Sequence, residues 1–329
     1  MLVYEYFSAG VFECDDLCED GLMMLNALLR DFSRVPELEI ITAMRPKLRS
    51  RISPDIHIEN IQPCPESGAE QSFLQALEAC EYALIIAPET AGALARLTKM
   101  AEERGKLVVG SSSAGVSLAG NKAATLALLE ETELPVPGWE LLGESAFPES
   151  FALPFVVKPV EGAGGEGVRM IKTREQWAAW NAGAGKEKES FLVQEWVSGE
   201  AVSVSCLVQN GEAEPICLNR QHVSPGEHPA FFGITAPYHH RWAGAAMDIA
   251  RRACAQVSGL RGFVGVDFIM GPQGAVVLEI NPRLTFAYLA LRKATTHNIA
   301  EELLAICRDG AKPRSLPVSG SYTCLVRQR

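Results

Sequence analysis

This chain of 329 residues has no apolar run long enough to cross a bilayer, since a membrane-spanning helix needs about 20 consecutive apolar residues. It has no excess of positive charge: 30 Lys and Arg face 40 Asp and Glu, a net charge of −10. Nucleic-acid binders present basic patches, so that class is not expected. No Cys-x-x-Cys occurs, and the 9 cysteines form an odd set. Reduced thiols are therefore expected, most of them buried as small apolar side chains. Met1-Leu2-Val3-Tyr4-Glu5 lacks the basic start of a signal peptide, which predicts a cytoplasmic protein without a membrane partner. Internal repeats are absent. A glycine-rich loop is present, but it is not followed by the Gly-Lys-Ser/Thr of a Walker loop and is not a clean Rossmann fingerprint.

Among what is present, the segment Gly265-Val266-Asp267-Phe268-Ile269-Met270 precedes a Gly-Pro-Gln-Gly turn and Ala275-Val276-Val277-Leu278-Glu279-Ile280-Asn281. Apolar arms around a Pro/Gly turn predict a β-hairpin. Antiparallel pairing sets Asp267 opposite Glu279. Period-two alternation puts Glu279 and Asn281 on one face. Three oxygen ligands on one sheet face suit a hard cation that also takes substrate phosphates.

Two further segments point to a nucleotide. Phe155-Val156-Val157-Lys158-Pro159 reads as a strand that ends at a Lys and passes into Glu161-Gly162-Ala163-Gly164-Gly165-Glu166-Gly167. Glycines let backbone N–H groups cradle phosphate oxygens, and the Lys adds a point charge for them. Phe191 to Val197, then Ser198-Gly199-Glu200 and Ala201 to Val208, reads as strand, turn and strand. Such a connection can offer backbone donors and acceptors to a purine, with a carboxylate just beyond for ribose.

Residues 1 to about 115 alternate strand and helix, with strands expected over 2–7, 39–43, 56–61, 82–87 and 106–110 and helices over 16–32, 69–79 and 91–104. That is a parallel α/β layer with ligands expected at strand C-terminal ends. Glu5, Tyr6 and Glu89 stand at such ends, and Thr90 is an alternative helix cap. Ser111 to Gly120 reads as a Ser/Gly linker, 121–131 and 173–181 as helices, 182–190 as a flexible link, and 241–257 as a helix. The segment 218–228 is either a substrate loop or a solvated connector. The residues after Lys312 are either a loose tail or one more strand.

In order, Asn121-Lys122, Val157-Lys158-Pro159 with its glycine loop, Gln194-Glu195-Trp196-Val197-x-Gly-Glu200, and Asp267 with Glu279-Ile280-Asn281-Pro282-Arg283 resemble the ATP-grasp superfamily over roughly residues 110 to 310. The resemblance implies an α/β (α+β) ATP-grasp fold. It has an N-terminal pre-ATP-grasp α/β domain (1–115), a small subdomain with a glycine-rich lid (116–188) and a C-terminal subdomain with the metal site (189–329). It implies that Lys122 and Lys158 contact ATP phosphates, that Glu161 lies beside the base and the loop, and that Gly162, Gly164, Gly165 and Gly167 close over the phosphates. Glu195 and Val197 would bind adenine and Glu200 ribose. Asp267, Glu279 and Asn281 would hold Mg²⁺ or Mn²⁺.

Two positions depart from the family pattern. Asn121 stands where many members have Asp, and Gly265 where many peptide-type members have Arg. Arg220, Arg241, Arg261 and Arg283 are the candidates to supply the missing positive charge, with Arg283, Arg220 and Lys158 the expected catalytic set. The start Val3-Tyr4-Glu5-Tyr6-Phe7-Ser8-Ala9-Gly10 and the strand end Ala87-Pro88-Glu89-Thr90 are similar to the tyramine–glutamate ligase group of methanofuran biosynthesis. This implies ATP-dependent amide formation between L-glutamate and an amine such as tyramine, with a homo-dimer left open. A ligase for another amino acid or peptide, or a non-catalytic ATP-binding module, are the alternatives.

Overall fold

Three sheets organise the chain, each built from a continuous stretch of sequence. The computed structural model describes residues 1–10, 15–56, 58–64, 68–143, 147–184, 190–224 and 226–326. The first sheet contains β1 (Leu2–Glu5), β2 (Ile41–Met44), β3 (Asn60–Pro63), β4 (Tyr82–Ile86) and β5 (Leu107–Val108), all parallel, in the order β3-β2-β1-β4-β5. Helices α1 (Asp15–Phe32), α2 (Ala69–Glu78) and α3 (Ala93–Glu103) connect them. Because helices cover both faces, β1 is buried throughout, as a parallel strand with no wet side should be. Val3 packs with Leu25 and Leu28 of α1 on one face, and Leu2 and Tyr4 pack with Phe73 and Leu77 of α2 on the other.

The expected linker over 111–120 is instead a helix. α4 (Ser113–Gly120) starts at Ser112, whose hydroxyl accepts from the Gly115 N–H. The serines there are capping chemistry, and Gly115 marks a close approach. A Cβ on it would lie 2.6 Å from the carbonyl carbon of Gly259. Then α5 (Lys122–Glu131) follows, with the Asn121 side chain accepting from Ala124 N–H at 2.9 Å. Asn121 thus acts here as a helix cap.

The second sheet is antiparallel, with β6 (Trp139–Leu141), β7 (Phe155–Pro159), β8 (Arg169–Ile171) and β9 (Phe191–Glu195) in the order β6-β9-β7-β8. Helix α6 (Arg174–Ala184) sets Trp177 against Phe155, Ile171 and Val193. β9 hydrogen-bonds to β6 and β7, although the expected boundary near 189 grouped it with the C-terminal strands. Of the expected link over 182–190, residues 182–184 belong to α6, and 185–189 lie outside the described residues.

The third sheet runs β14-β13-β10-β11-β12-β15 and is antiparallel throughout, from β10 (Glu200–Gln209), β11 (Glu212–Val223), β12 (Phe231–Ala236), β13 (Gly262–Gly271), β14 (Gly274–Asn281) and β15 (Tyr322–Leu325). The segment 218–223 is therefore strand and not connector, and the tail supplies β15, paired with β12. Helix α7 (Ala243–Gln256) lays Ala246, Ala250 and Ala253 on one face, against Val204, Val264 and Val266. Helices α8 (Tyr288–Ala294) and α9 (Ile299–Cys307) join Leu207 and Phe263 to the α1 leucines in one continuous core.

Candidate active site

The β13–β14 hairpin has the register expected from its turn, with Asp267 paired to Glu279. A bulge next to Asp267 leaves Leu278 as the extra residue on β14, and its carbonyl accepts from the Lys158 ammonium at 3.3 Å. Bulges of this kind re-aim backbone and side chains. Asp267 receives two amide donors, Asn281 Nδ2 on Oδ2 at 3.1 Å and Gln221 Nε2 on Oδ1 at 3.0 Å. Glu279 faces Lys122, with Nζ 3.5 Å from Oε2. The same ammonium donates to the Gly162 carbonyl at 2.7 Å.

Charge in this cluster is unevenly shared. Burial, and then the neighbouring Glu279 charge, push the Asp267 carboxyl well above the ordinary carboxylate range. Burial alone would also raise Glu279, but Lys122 and Lys158 outweigh it and hold Glu279 below its usual value. Lys158 is pushed down to about 8, first by burial and further by Lys122, against the pull of Glu279. The surroundings thus push Asp267 towards its neutral form and Glu279 towards its anion.

These groups line one cavity of about 680 Å³ between the second and third sheets. Lys122, Lys158, Gly162, Gly164, Gly165, Glu195, Val197, Glu200, Asp267, Glu279, Asn281, Arg220 and Arg283 all contribute to its wall. Glu161 is exposed, and neither it nor Gly167 lines the wall. Gly164 and Gly165 have φ of 65° and 79°, left-handed values that favour glycine. Gly199 is required by contact, since a Cβ there would sit 2.4 Å from the Met270 carbonyl oxygen. Glu200 accepts from the Tyr238 hydroxyl at 2.6 Å.

The arginines separate clearly. Arg283 donates to Glu89 Oε2 at 2.9 Å and to the Leu284 carbonyl at 3.2 Å, and both members of the ion pair are largely buried. Arg220 lies over the Tyr238 ring at 5.6 Å. Its neighbour Gln221 reaches Asp267, and adjacent strand residues leave opposite faces. Arg261 donates to the Gly110 and Val108 carbonyls, and Arg241 lies over Trp242; neither lines the cavity. Glu5 is buried, accepting from Phe7 N–H at 3.1 Å and Ser8 N–H at 2.7 Å. Neither Glu5 nor Tyr6 lines the cavity. Thr90 does not cap α3, whose N-cap is Gly92 with no side-chain bond.

Gln221 and Glu89 gain their places from tertiary structure. Gln221 meets Asp267 only because β10 lies between β11 and β13. Glu89 meets Arg283 only because the first sheet docks on the end of the hairpin.

Comparison with known proteins agrees with this geometry. The ATP-grasp domain family matches residues 119–287, and the pre ATP-grasp 3 domain family matches residues 38–116. The tyramine–L-glutamate ligase of Methanocaldococcus jannaschii is 29% identical, over 92% of this chain and 88% of its own. The ligase of the same name from Methanocaldococcus fervens is 29% identical over 92% of each chain. The crystal structure of an ATP-grasp superfamily protein from Archaeoglobus fulgidus superposes with a TM-score of 0.70 at 21% identity, covering 100% of this chain and 99% of that one. A biotin carboxylase from Campylobacter jejuni gives 0.76 at 13% identity, over 98% and 74%. With its ATP-grasp match extending over half of its length, the chain belongs to the ATP-grasp family and is an ATP-dependent carboxylate–amine ligase that forms a C–N bond with release of ADP and phosphate.

Proposed function

We propose that the protein joins the γ-carboxylate of L-glutamate to a primary amine such as tyramine, a step of methanofuran-type cofactor biosynthesis. Two curated relatives bear the name of that activity over nearly the whole chain. The observation that carries the chemistry is the Asp267–Glu279 pair opposite two buried lysines in one cavity.

In this reading Lys122, Lys158 and the N–H groups of the Gly162, Gly164 and Gly165 loop hold the ATP phosphates. Glu195 and Val197 hold adenine and Glu200 the ribose hydroxyls. Asp267, Glu279 and Asn281 suit Mg²⁺ or Mn²⁺. No group of three or more His, Cys, Asp or Glu side chains that could hold a metal occurs among the described residues. Two carboxylates and an amide would leave the rest of the coordination to phosphate oxygens and water, the arrangement Mg²⁺ prefers. The raised Asp267 fits too, because burial and the Glu279 carboxylate disfavour its charge and a bound cation would offset both. A bound cation would neutralise charge on the phosphate oxygens.

The carboxylate oxygen of glutamate attacks the γ-phosphorus, and the bond to ADP breaks. The lone pair of the amine then attacks the acyl carbon, a C–N bond forms, the C–O bond to phosphate breaks, and the nitrogen gives up a proton. Lys158 and Arg283 steady the negative charge that develops, with Arg220 at the wall. The glycine loop excludes water that would hydrolyse the acyl phosphate.

The test is ADP release by purified protein with ATP and Mg²⁺, with L-glutamate in the presence and absence of tyramine, and the product weighed by mass spectrometry. ADP that depends on both, with a glutamyl-tyramine mass, is the expected result. Turnover with other carboxylate–amine pairs and none with this one would discard the substrate assignment and leave the reaction class standing.

A further inference from the structure

One face of the third sheet changes character from one side to the other. Asp267 pairs with Ser203, and Ser203 with Asn219. Gln221, two residues on from Asn219, shares its face and reaches Asp267. Gln221 pairs with Ile234, and Val223 with Phe231. From β13 to β12 this face therefore passes from carboxylate, through hydroxyl and amide, to Ile234 and Phe231. Three strand spacings separate the two ends, on the order of 14 Å. Phe286, from the segment after β14, closes the apolar end, with its ring 5.7 Å from that of Phe231 at 81°. All three apolar residues line the cavity. Neither β12 nor the segment 284–287 contributes a charged side chain.

A ligase of this class brings three reactants together. The nucleotide ends in phosphates at the lysines, and an amino-acid donor is charged at each end. The body of the amine is what can use an uncharged end with two phenyl rings. We infer that Phe231, Ile234 and Phe286 determine amine specificity and take an amine with an aryl or similarly flat apolar body, its nitrogen directed towards the Asp267–Glu279 row. This rests on the carboxylate–amine reading above. Edge-to-face phenylalanines leave faces on which a third ring can pack.

The experiment measures ADP release with ATP, Mg²⁺ and L-glutamate, comparing tyramine and 2-phenylethylamine with ethylamine and ethanolamine. The wild type is expected to favour the aryl amines by roughly tenfold or more in kcat/KM. F286A and F231A are expected to reduce that selectivity ratio about tenfold, chiefly through the KM of the aryl amine, and F286L and F231L less so. A cooperative thermal transition identifies the folded variants, and the leucine pair keeps the test available where an alanine variant does not fold. Equal use of aryl and small amines by the wild type, or an unchanged ratio in the folded variants, would overturn the inference and leave the ligase reading intact. No ADP with any of the amines would overturn both.

Discussion

Asp267 and Glu279 sit opposite each other, yet their surroundings push the two carboxyls in opposite directions. Asp267 is buried beside the Glu279 carboxylate and is pushed towards its neutral form. Glu279 neutralises two buried lysines. D267N replaces a carboxyl that is pushed towards its neutral form, so in the protein free of nucleotide and metal it is expected to change the melting temperature little at acid pH and to raise it relative to wild type as pH rises and the wild-type carboxyl ionises. E279Q strands the lysines and is expected to lower it. Both are expected to reduce ADP release by roughly 10²–10³-fold. Retained turnover in either folded variant would defeat the ligand assignment. Glu5 offers an independent test by pH. Its carboxyl is pushed up to about 7 by burial, against the pull of the Ser8 and Phe7 N–H groups and Arg45. A folded-state value above the unfolded one stabilises below the unfolded value, and that contribution is lost as pH rises towards 7. Between pH 5 and pH 8 this group lowers the unfolding free energy by about 2–3 kcal/mol. Denaturant titrations of wild type and E5Q at the two pH values should differ in slope against pH by that amount.

At the scale of elements, local signals were legible where they settle structure alone. The Gly271–Gly274 turn and the alternation around it were enough to set Asp267 against Glu279. The serine–glycine run over 111–120 was not, because its composition suits a flexible link as well as a capped helix in tight contact. What decides is the turn at Gly259, far away in sequence, whose backbone lies where the side chain of residue 115 would be. G115A is therefore expected to destabilise by about 1–3 kcal/mol through overpacking, despite the gain in helix propensity. A melting temperature equal to or above that of the wild type would show that α4 can move away from Gly259. Gln221 was hidden for a similar reason. Its role depends on strand order, which neither alternation nor turn residues encode.

For the whole molecule, the parallel layer was legible from its alternation of strand and helix, but its attachment to the third sheet was not. The two share one core, in which α1 leucines meet Leu303 and Leu304 of α9. At that junction Asp31 Oδ2 accepts from the Tyr288 hydroxyl at 2.6 Å and from Arg292 Nε at 2.7 Å, and its carbonyl accepts from Asn298 Nδ2 at 2.8 Å. Tyr288 is fully buried, so loss of the carboxylate leaves its hydroxyl and the largely buried guanidinium without their acceptor. D31A is expected to destabilise by about 3–5 kcal/mol. Because the core is continuous across the junction, the first and third sheets should still melt in one transition, shifted down in temperature. Calorimetry distinguishes this from the alternative. Two separated transitions in D31A would mean that the Asp31 network, and not the shared core, unites the first sheet with the sheet that carries Asp267 and Glu279. The second sheet has its own small core around Phe155 and Trp177, so its packing does not depend on that union.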